Sequence, residues 1–84
     1  MLSIITVTYN SKKQIDRCLL SVVTHTFIPY EHLIVDNASS DGTVELIDNH
    51  YSHYVTLIKN TQNRGFSRAN NQGLEKAVGS YILF

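Results

Sequence analysis

The sequence predicts an α/β fold in which short strands alternate with helices and form a mostly parallel sheet. Four short segments of apolar and β-branched residues recur along the 84 residues. Amphipathic stretches of about 10 to 15 residues separate them, which is the spacing of right-handed βαβ units. A chain of this length has room for one small domain at most, so a two-domain organisation is excluded.

The strands are predicted from short apolar runs. Residues 3–8 are β-branched and apolar on both alternating sets, which is typical of a strand covered on both faces. The same reasoning predicts strands over residues 31–36, 55–58 and 80–84. Helices are therefore expected on both sides of the sheet, in a Rossmann-like arrangement.

The helices are predicted from apolar residues at helical spacing. The first follows a Ser-x-x-Gln capping box at Ser11, extends to about His25, and includes Cys18 among its core positions. Pro29 cannot continue that helix. The second, shorter helix presents Val44, Ile47 and Tyr51. The third, which Gly79 is expected to terminate, presents one face formed by Phe66, Ala69, Asn70, Gly73, Leu74 and Ala77.

Composition and charge exclude several classes of protein. Seven basic residues balance seven acidic ones, so the chain lacks the positive surface that binding to a nucleic-acid backbone requires. No apolar run exceeds five residues, far below the roughly 20 that span a bilayer, and no secretory signal is visible. The glycine-rich motifs of dinucleotide oxidoreductases and P-loop nucleoside triphosphatases are also missing. A single cysteine rules out an internal disulfide and favours a cytoplasmic location.

The histidines and the cysteine are expected to have structural roles. His50 and His53 are three residues apart without a nearby third ligand, so they are expected on the surface rather than at a metal. His25 and His32 are expected at a helix end and a loop edge. Cys18 is expected to pack in the core, because no His/Asn arrangement that would activate its thiol is identifiable.

Polar residues follow each of the first three predicted strands. They are Thr8-Tyr9-Asn10, Asp36-Asn37 and residues 60–64. In open parallel sheets, ligands bind beyond the carboxyl ends of the strands. The three junctions are therefore expected to open on one edge of the sheet.

These junctions carry groups that suit a pyrimidine nucleotide. The Asp36 carboxylate can accept a hydrogen bond from the imide N–H of uracil or thymine, and Tyr9 offers a flat surface for a base. Donors to base carbonyls, ribose or phosphate are available from Asn10, Asn37, Asn63 and Arg64. The same residues are equally compatible with a simpler interpretation, in which Asp36 and Asn37 cap a turn and Tyr9 lies on the rim.

Four elements occur in a fixed order: SIITVTYN at 3–10, LIVDNASSDGT at 33–43, NRGFSRANNQG at 63–73 and GSYILF at 79–84. In this order and spacing they resemble the amino-terminal half of the family 2 glycosyltransferases, inverting enzymes of the GT-A fold that use nucleotide-sugar donors. The resemblance covers essentially the whole chain. The second and third elements look most like the rhamnosyltransferase-type branch, which works on bacterial surface polysaccharides.

The resemblance implies a particular architecture and reaction. Residues 1–84 would form the amino-terminal nucleotide-sugar-binding part of a single, incomplete domain. This part would be a Rossmann-like, three-layer αβα half of a GT-A fold with strand order 3-2-1-4, truncated after the fourth strand. The complete enzyme would transfer a sugar from a UDP- or dTDP-sugar to a hydroxyl of a glycan or lipid-linked acceptor, in the cytoplasm or along the inner face of the membrane.

The resemblance also implies roles for individual residues. Thr8 and Tyr9 would contact the base and ribose, Asp36 would bind the base imide, and Arg64 would reach the base or the phosphates. Asp41 matches a family position but is expected to cap a helix instead. The remaining members of the implied nucleotide-sugar site are Asn10, Asn37, Asn63 and Gly65, which shape the loops, and Asn70, which braces them from a helix.

The sequence departs from the family pattern in two places within the implied site. Proline often stands where Val7 precedes the Thr-Tyr-Asn run, and a second acid is common where this chain has Asn37. Neither difference removes Asp36, the proposed acceptor for the base.

Family members bind Mg²⁺ or Mn²⁺ through an Asp-x-Asp-like motif, which would follow Phe84 by a few residues and is not in this chain. The general base and the acceptor-binding half are missing as well. Glycosyl transfer by these residues alone is not expected, and the alternative is a non-catalytic nucleotide-binding or interaction fragment. An open edge on the fourth strand and zero net charge also favour self-association.

Overall fold

Three βαβ crossovers build the chain around a single parallel sheet. The structure, a computed structural model, describes residues 1–79 and 81–83, so the predicted strand ends Ser80 and Phe84 lie outside the described residues. Counted along the chain, the strands lie in the order third, second, first, fourth, which confirms the predicted α/β class and strand order. In chain order, the elements are β1 (Leu2–Thr8), α1 (Lys12–His25), β2 (Tyr30–Asp36), α2 (Thr43–Tyr51), β3 (Thr56–Lys59), α3 (Phe66–Lys76) and β4 (Tyr81–Leu83).

The register of the strands aligns their carboxyl ends. Thr8 at the end of β1 pairs with Asp36 at the end of β2, and Asp36 pairs with Lys59 at the end of β3. Each strand is therefore followed by its loop at the same edge of the sheet. β4 pairs with β1 through three residues, from Leu2 opposite Tyr81 onward.

Helices cover both faces of the sheet. Successive strand residues point to opposite faces of the sheet. Ile5 pairs with Leu33 and shares its face, so the next residue, Ile34, points to the opposite face. Gly73 of α3 packs on Ile5, where an added Cβ would come within 2.5 Å of the Ile5 Cγ2 atom. The opposite face holds α1, α2 and the apolar cluster of Ile15, Leu19, Ile34, Ile47 and Tyr51.

Several local predictions for the helices are wrong. Ser11 is the N-cap residue of α1, but its side chain makes no capping hydrogen bond, so the predicted capping box does not form. Cys18 is exposed, because Ile15 and Leu19 are the positions of α1 that face the sheet. The buried face of α3 is also narrower than predicted. It consists of Ala69 and Gly73, whereas Phe66 and Leu74 are exposed.

Gly79 lies beyond the end of α3 rather than terminating it. The helix ends at Lys76, and Ala77 takes an extended conformation at the C-cap. A Cβ atom added at Gly79 would lie 2.6 Å from the Met1 carbonyl oxygen and would also meet the Ser3 side chain. A glycine is needed here because the connection from α3 to β4 passes against the backbone of β1.

A carboxylate near the start of β2 holds this connection in place. Glu31 Oε2 accepts hydrogen bonds from the backbone N–H groups of Val78, at 2.6 Å, and Gly79, at 3.2 Å, and from the Ser3 hydroxyl. The hydrogen bond from Ser3 is the largest cause that lowers the pKa of Glu31. The entry to β4 is therefore fixed by an ionised side chain.

His32 is buried within β2, where only 2% of it is exposed, and the prediction that it lies at a loop edge is wrong. Its Nε2 atom lies 2.7 Å from the Thr6 hydroxyl oxygen on the neighbouring strand. Burial lowers the pKa of His32 to about 4. The imidazole is therefore neutral in the folded chain at physiological pH.

None of the helices in residues 1–79 and 81–83 combines the length and apolarity needed to cross a bilayer. An apolar cavity of about 360 Å³ opens at the amino-terminal edge of the sheet, lined by Met1, Leu2, Ile28, Pro29 and Tyr81. The polar loops lie at the other edge. The residues predicted to bind a nucleotide therefore do not line this cavity.

The depressed pKa of His32 predicts acid destabilisation. Below pH 6.5 the unfolded chain binds a proton at this residue while the folded chain does not, so the free energy of unfolding should fall by roughly 3 kcal/mol towards pH 4. Urea unfolding at several pH values measures this slope. A His32→Gln variant should lose the contribution of His32 to the pH dependence of the free energy of unfolding, whereas the exposed His50→Gln variant should retain it. Equal slopes in both variants would show that His32 is not the group responsible.

Candidate functional site

The loops that follow β1, β2 and β3 meet at the carboxyl edge of the sheet. The backbone N–H of Asn10 donates to the Ser39 hydroxyl at 2.8 Å, and the N–H of Ser40 donates to Asn10 Oδ1 at 2.8 Å. Asn37 Nδ2 donates to the Gly65 carbonyl at 3.2 Å. The second loop therefore touches both of the others, and the three predicted junctions form one surface.

Asp36 lies beneath this surface as a buried carboxylate. Only 1% of it is exposed, and both of its oxygens accept hydrogen bonds. Oδ1 accepts from the hydroxyls of Thr8, at 2.7 Å, and Ser39, at 2.6 Å, while Oδ2 accepts from the Ser39 N–H at 2.9 Å. Neutral donors rather than a cation therefore compensate its charge.

The backbone of the two loops above Asp36 is tightly turned. Asn10 has a φ of 49° and Ala38 a φ of 64°, which is the left-handed region. Asparagine tolerates this conformation better than alanine, because its short polar side chain can hydrogen-bond locally. Ala38 has no such group, so the hydrogen bonds from Ser39 to Asp36 must hold it there.

The Asp41 carboxylate accepts hydrogen bonds at the amino termini of two helices. Its Oδ2 accepts from the Lys12 N–H of α1 at 3.1 Å, and its Oδ1 accepts from the Thr43 N–H of α2 at 3.1 Å. The Thr43 hydroxyl also donates to Asp41, and this bond is the largest cause that lowers the pKa of the carboxyl. The Ser11 N–H donates to the same hydroxyl at 3.0 Å. A negative charge is favourable at both helix ends.

Asn37 fixes the third loop. Its Oδ1 accepts from Asn60 Nδ2 at 2.9 Å and from the Arg64 N–H at 3.3 Å, and only 2% of the residue is exposed. Asn63 Oδ1 accepts from the Gly65 N–H at 2.8 Å. Gly65 has a φ of 83° and a ψ of 164°, a region that only glycine occupies readily. The loop that carries Arg64 is therefore set by its neighbours.

The predicted site residues divide into two groups. Thr8, Asp36 and Asn37 are buried and bind other parts of the chain. The exposed residues are Tyr9, of which 53% is exposed, Asn10, Asn63, Arg64 and Gly65. Within the described residues the Arg64 guanidinium forms no ion pair, so its charge is open to an anionic ligand.

A hydrogen-bonded pair of side-chain amides joins the loop after β3 to α3. Asn70 is partly buried and makes no side-chain hydrogen bond within residues 1–79 and 81–83. Gln72 instead exchanges two hydrogen bonds with Asn60, each of 2.8 Å. Asn60 lies in the predicted junction 60–64, but sequence reasoning missed Gln72 and its pairing with Asn60, because an amide pair twelve positions apart has no local signature.

The described part of the chain contains no group of three or more His, Cys, Asp or Glu side chains that could hold a metal ion. At the candidate edge, Asp36 is engaged by hydroxyl and N–H donors and Asp41 by helix ends. These residues do not fit a divalent cation. What the edge offers is an aromatic face, amide groups and one guanidinium, a set suited to a nucleotide.

The parallel sheet and its helices match the amino-terminal, Rossmann-like half of GT-A glycosyltransferases. A mannosyltransferase from Pyrobaculum calidifontis, solved in complex with GDP-Man and Mn²⁺, is similar over 96% of this chain and 25% of its own, with a TM-score of 0.81 and 30% identity. S. aureus TarS 1-349, solved in complex with UDP-GlcNAc, is similar over 99% of this chain and 25% of its own, with a TM-score of 0.85 and 28% identity.

The chain belongs to glycosyl transferase family 2, whose family model matches residues 3–84. An uncharacterized glycosyltransferase of Haemophilus influenzae is 36% identical over all of this chain and 28% of its own length. The glycosyltransferase AglE of Haloferax volcanii is 36% identical over 98% of this chain and 28% of its own. The chain thus spans about a quarter to a third of the length of the curated relatives it matches.

The shared carboxylate predicts that Asp41→Asn weakens two helix starts at once. Amide hydrogen exchange at Lys12 and Thr43 should both accelerate, by about tenfold, because each N–H loses a charged acceptor. The exposed Asp48→Asn substitution, within α2, is the matched control and should leave both amides protected. Acceleration at only one helix would show that Asp41 does not couple the two.

Proposed function

We propose that the carboxyl edge of this sheet binds the nucleotide of a UDP- or dTDP-sugar. In the whole protein, that sugar would be transferred with inversion to a hydroxyl of a glycan or lipid-linked acceptor. The observation that carries the proposal is the convergence of three loops whose buried polar residues hold Tyr9, Asn10 and Arg64 exposed on one edge. Family membership supports the class of reaction.

Each exposed group has a distinct role in this proposal. The Tyr9 ring offers a stacking surface for the base, and the Arg64 guanidinium meets the diphosphate, where a planar set of donors matches phosphate oxygens. Asn10 uses Oδ1 to hold Ser40, which leaves Nδ2 available for the ribose or the base. Asn63 shapes the loop through its bond to Gly65.

Asp36 can accept the base imide only after a local exchange of hydrogen bonds. Ser39 occupies both carboxylate oxygens, and only 1% of Asp36 is exposed. Residues 38–40 must move outward so that the imide N–H replaces the Ser39 hydroxyl. The exchange keeps the carboxylate hydrogen-bonded, so it does not leave a buried charge unpaired. The backbone amide of Ser39 should therefore respond most directly to nucleotide binding.

The solved relatives support a nucleoside diphosphate and differ in its base. TarS 1-349 was solved with UDP-GlcNAc and the P. calidifontis mannosyltransferase with GDP-Man. Uracil, thymine and guanine all carry a ring N–H that a carboxylate can accept. We choose the pyrimidines because the sequence of the second and third elements favours a rhamnosyltransferase-like role in polysaccharide synthesis. Guanine is an outcome of the test.

Several finer features of the whole protein belong to the same proposal. We place the whole protein in the cytoplasm, because the single cysteine of this chain favours a reducing compartment. A Mg²⁺ or Mn²⁺ ion would neutralise the departing diphosphate in the whole protein. For the 84-residue chain by itself we also propose self-association through the outer edge of β4, where Tyr81 and Ile82 are exposed, and concentration-dependent sedimentation would detect it.

An NMR titration that resolves single amides tests nucleotide binding. UDP and dTDP should shift the amides of Tyr9, Ser39 and Arg64 with or without Mg²⁺ or Mn²⁺. Asp36→Ala and Arg64→Ala should each weaken binding on the order of tenfold, because each removes a charged hydrogen-bonding group. Arg17→Ala, on the exposed side of α1, is the matched control and should bind as the wild type does.

The outcomes separate the alternatives. Shifts with GDP and not with UDP or dTDP would replace the pyrimidine by guanine and leave the edge as the site. A dispersed spectrum that no nucleotide changes would contradict binding and favour an interaction fragment. Equal losses in Arg17→Ala and Arg64→Ala would show that general charge, rather than the loop, attracts the nucleotide.

A further inference from the structure

Three carboxamide side chains form a continuous row behind the loop that carries Arg64. They belong to Asn37, which follows β2, Asn60, which follows β3, and Gln72 in α3. The row lies on the protein side of the loop, and it joins the two strands to the helix. None of the three has a charge, so the row depends entirely on the direction of its hydrogen bonds.

Each bond in the row has a defined donor and acceptor. Gln72 Nε2 donates to Asn60 Oδ1 at 2.8 Å, and Asn60 Nδ2 donates back to Gln72 Oε1 at 2.8 Å. Asn60 Nδ2 also donates to Asn37 Oδ1 at 2.9 Å. Turning over one amide alone would place donor against donor or acceptor against acceptor, so the three amides hold one another in a single relative orientation.

The row ends on the backbone of the loop. Asn37 Oδ1 accepts the Arg64 N–H at 3.3 Å, and Asn37 Nδ2 donates to the Gly65 carbonyl at 3.2 Å. Asn37 therefore presents an acceptor and a donor to two consecutive residues. If the amide of Asn37 turned over, both contacts would be lost together.

The other two members of the row, Asn60 and Gln72, are each held in place by the sheet. Asn60 is fixed at the end of β3, because its N–H donates to the Asp36 carbonyl at 2.9 Å. Gln72 precedes Gly73, which lies directly against Ile5 of the central strand β1. A helix that packs this closely cannot slide, so Gln72 is held at a constant distance from the sheet.

We propose that Gln72 is a positioning residue for nucleotide binding. Acting through Asn60 and Asn37, it sets the backbone of Arg64 and Gly65 and so determines where the guanidinium meets the diphosphate, without touching the ligand itself. The inference rests on the proposed function, because Arg64 is the group assigned to the phosphates there. It assigns a role to a helix residue that the sequence did not single out.

A double-mutant cycle in the 84-residue chain tests the inference with UDP as the probe. Gln72→Met keeps the length of the side chain and removes both hydrogen bonds, and it should weaken UDP binding about tenfold. In an Arg64→Ala background the same substitution should cost almost nothing, because its effect passes through Arg64. Gln14→Met on the exposed surface of α1 is the matched control and should bind as the wild type does.

Amide hydrogen exchange without nucleotide gives a second, independent measurement. Gln72→Met should accelerate exchange at Arg64 and leave the Ala77 N–H, which closes α3 onto Gly73, protected. Gln72→Glu serves if Gln72→Met does not fold, since its carboxylate keeps one bond and repels Asn60 Oδ1. It should accelerate the same amide.

Each outcome decides one of the two proposals. If the wild type binds UDP and Gln72→Met binds it equally tightly, the positioning role is overturned and the proposed function stands. Equal losses with and without Arg64 would also overturn it, because Gln72 would then act elsewhere. If the wild type binds no nucleotide, the proposed function fails. Unchanged exchange at Arg64 in the variant would overturn the positioning role as well.

Discussion

The candidate site depends on one buried carboxylate at the end of β2, an inner strand of the sheet. Asp36 joins β1 through Thr8 and holds the loop after β2 through Ser39, so it fixes two chain segments with three hydrogen bonds. Removing the acceptor would leave buried donors without partners, which costs more than the bonds contribute when they are made. The left-handed turn at Ala38 and the contact between Asn10 and Ser40 both depend on this arrangement.

The rest of the edge is built by polar side chains from neighbouring loops rather than by the apolar core. The Asp41 carboxylate accepts hydrogen bonds from the first residues of α1 and α2, and the Asn37 amide binds the loop that precedes α3. Each loop is thus shaped by a side chain that belongs to another loop. Such an arrangement leaves exposed groups such as Tyr9 and Arg64 on a backbone that is already ordered, which lowers the entropic cost of binding a ligand.

The sequence predicts the elements of the fold well because strands and helices have a local periodicity. Residues 3–8 and 31–36 lie within β1 and β2, and the order of the sheet follows from right-handed crossovers and the family resemblance. Contacts between distant residues leave no such pattern. The local capping box at Ser11 does not form, because Thr43 and Asp41, about thirty residues away, accept the hydrogen bonds of the first N–H groups of α1. The pairing of Asn60 with Gln72 likewise depends on tertiary packing. Cys18 shows the limit of periodicity itself, because one position along a helix separates a buried side chain from an exposed one.

The two acids of β2 have a consequence for how the chain reaches this structure. Glu31 near one end of the strand and Asp36 at the other are five positions apart, an odd offset, so they point to opposite faces of the sheet. Each has its donors in the observed alignment. A slip of one residue would turn every side chain of β2 to the other face. Each carboxylate would then lose the donors that it has in the observed alignment. Misaligned pairings of β1 with β2 are therefore destabilised at both ends of the strand.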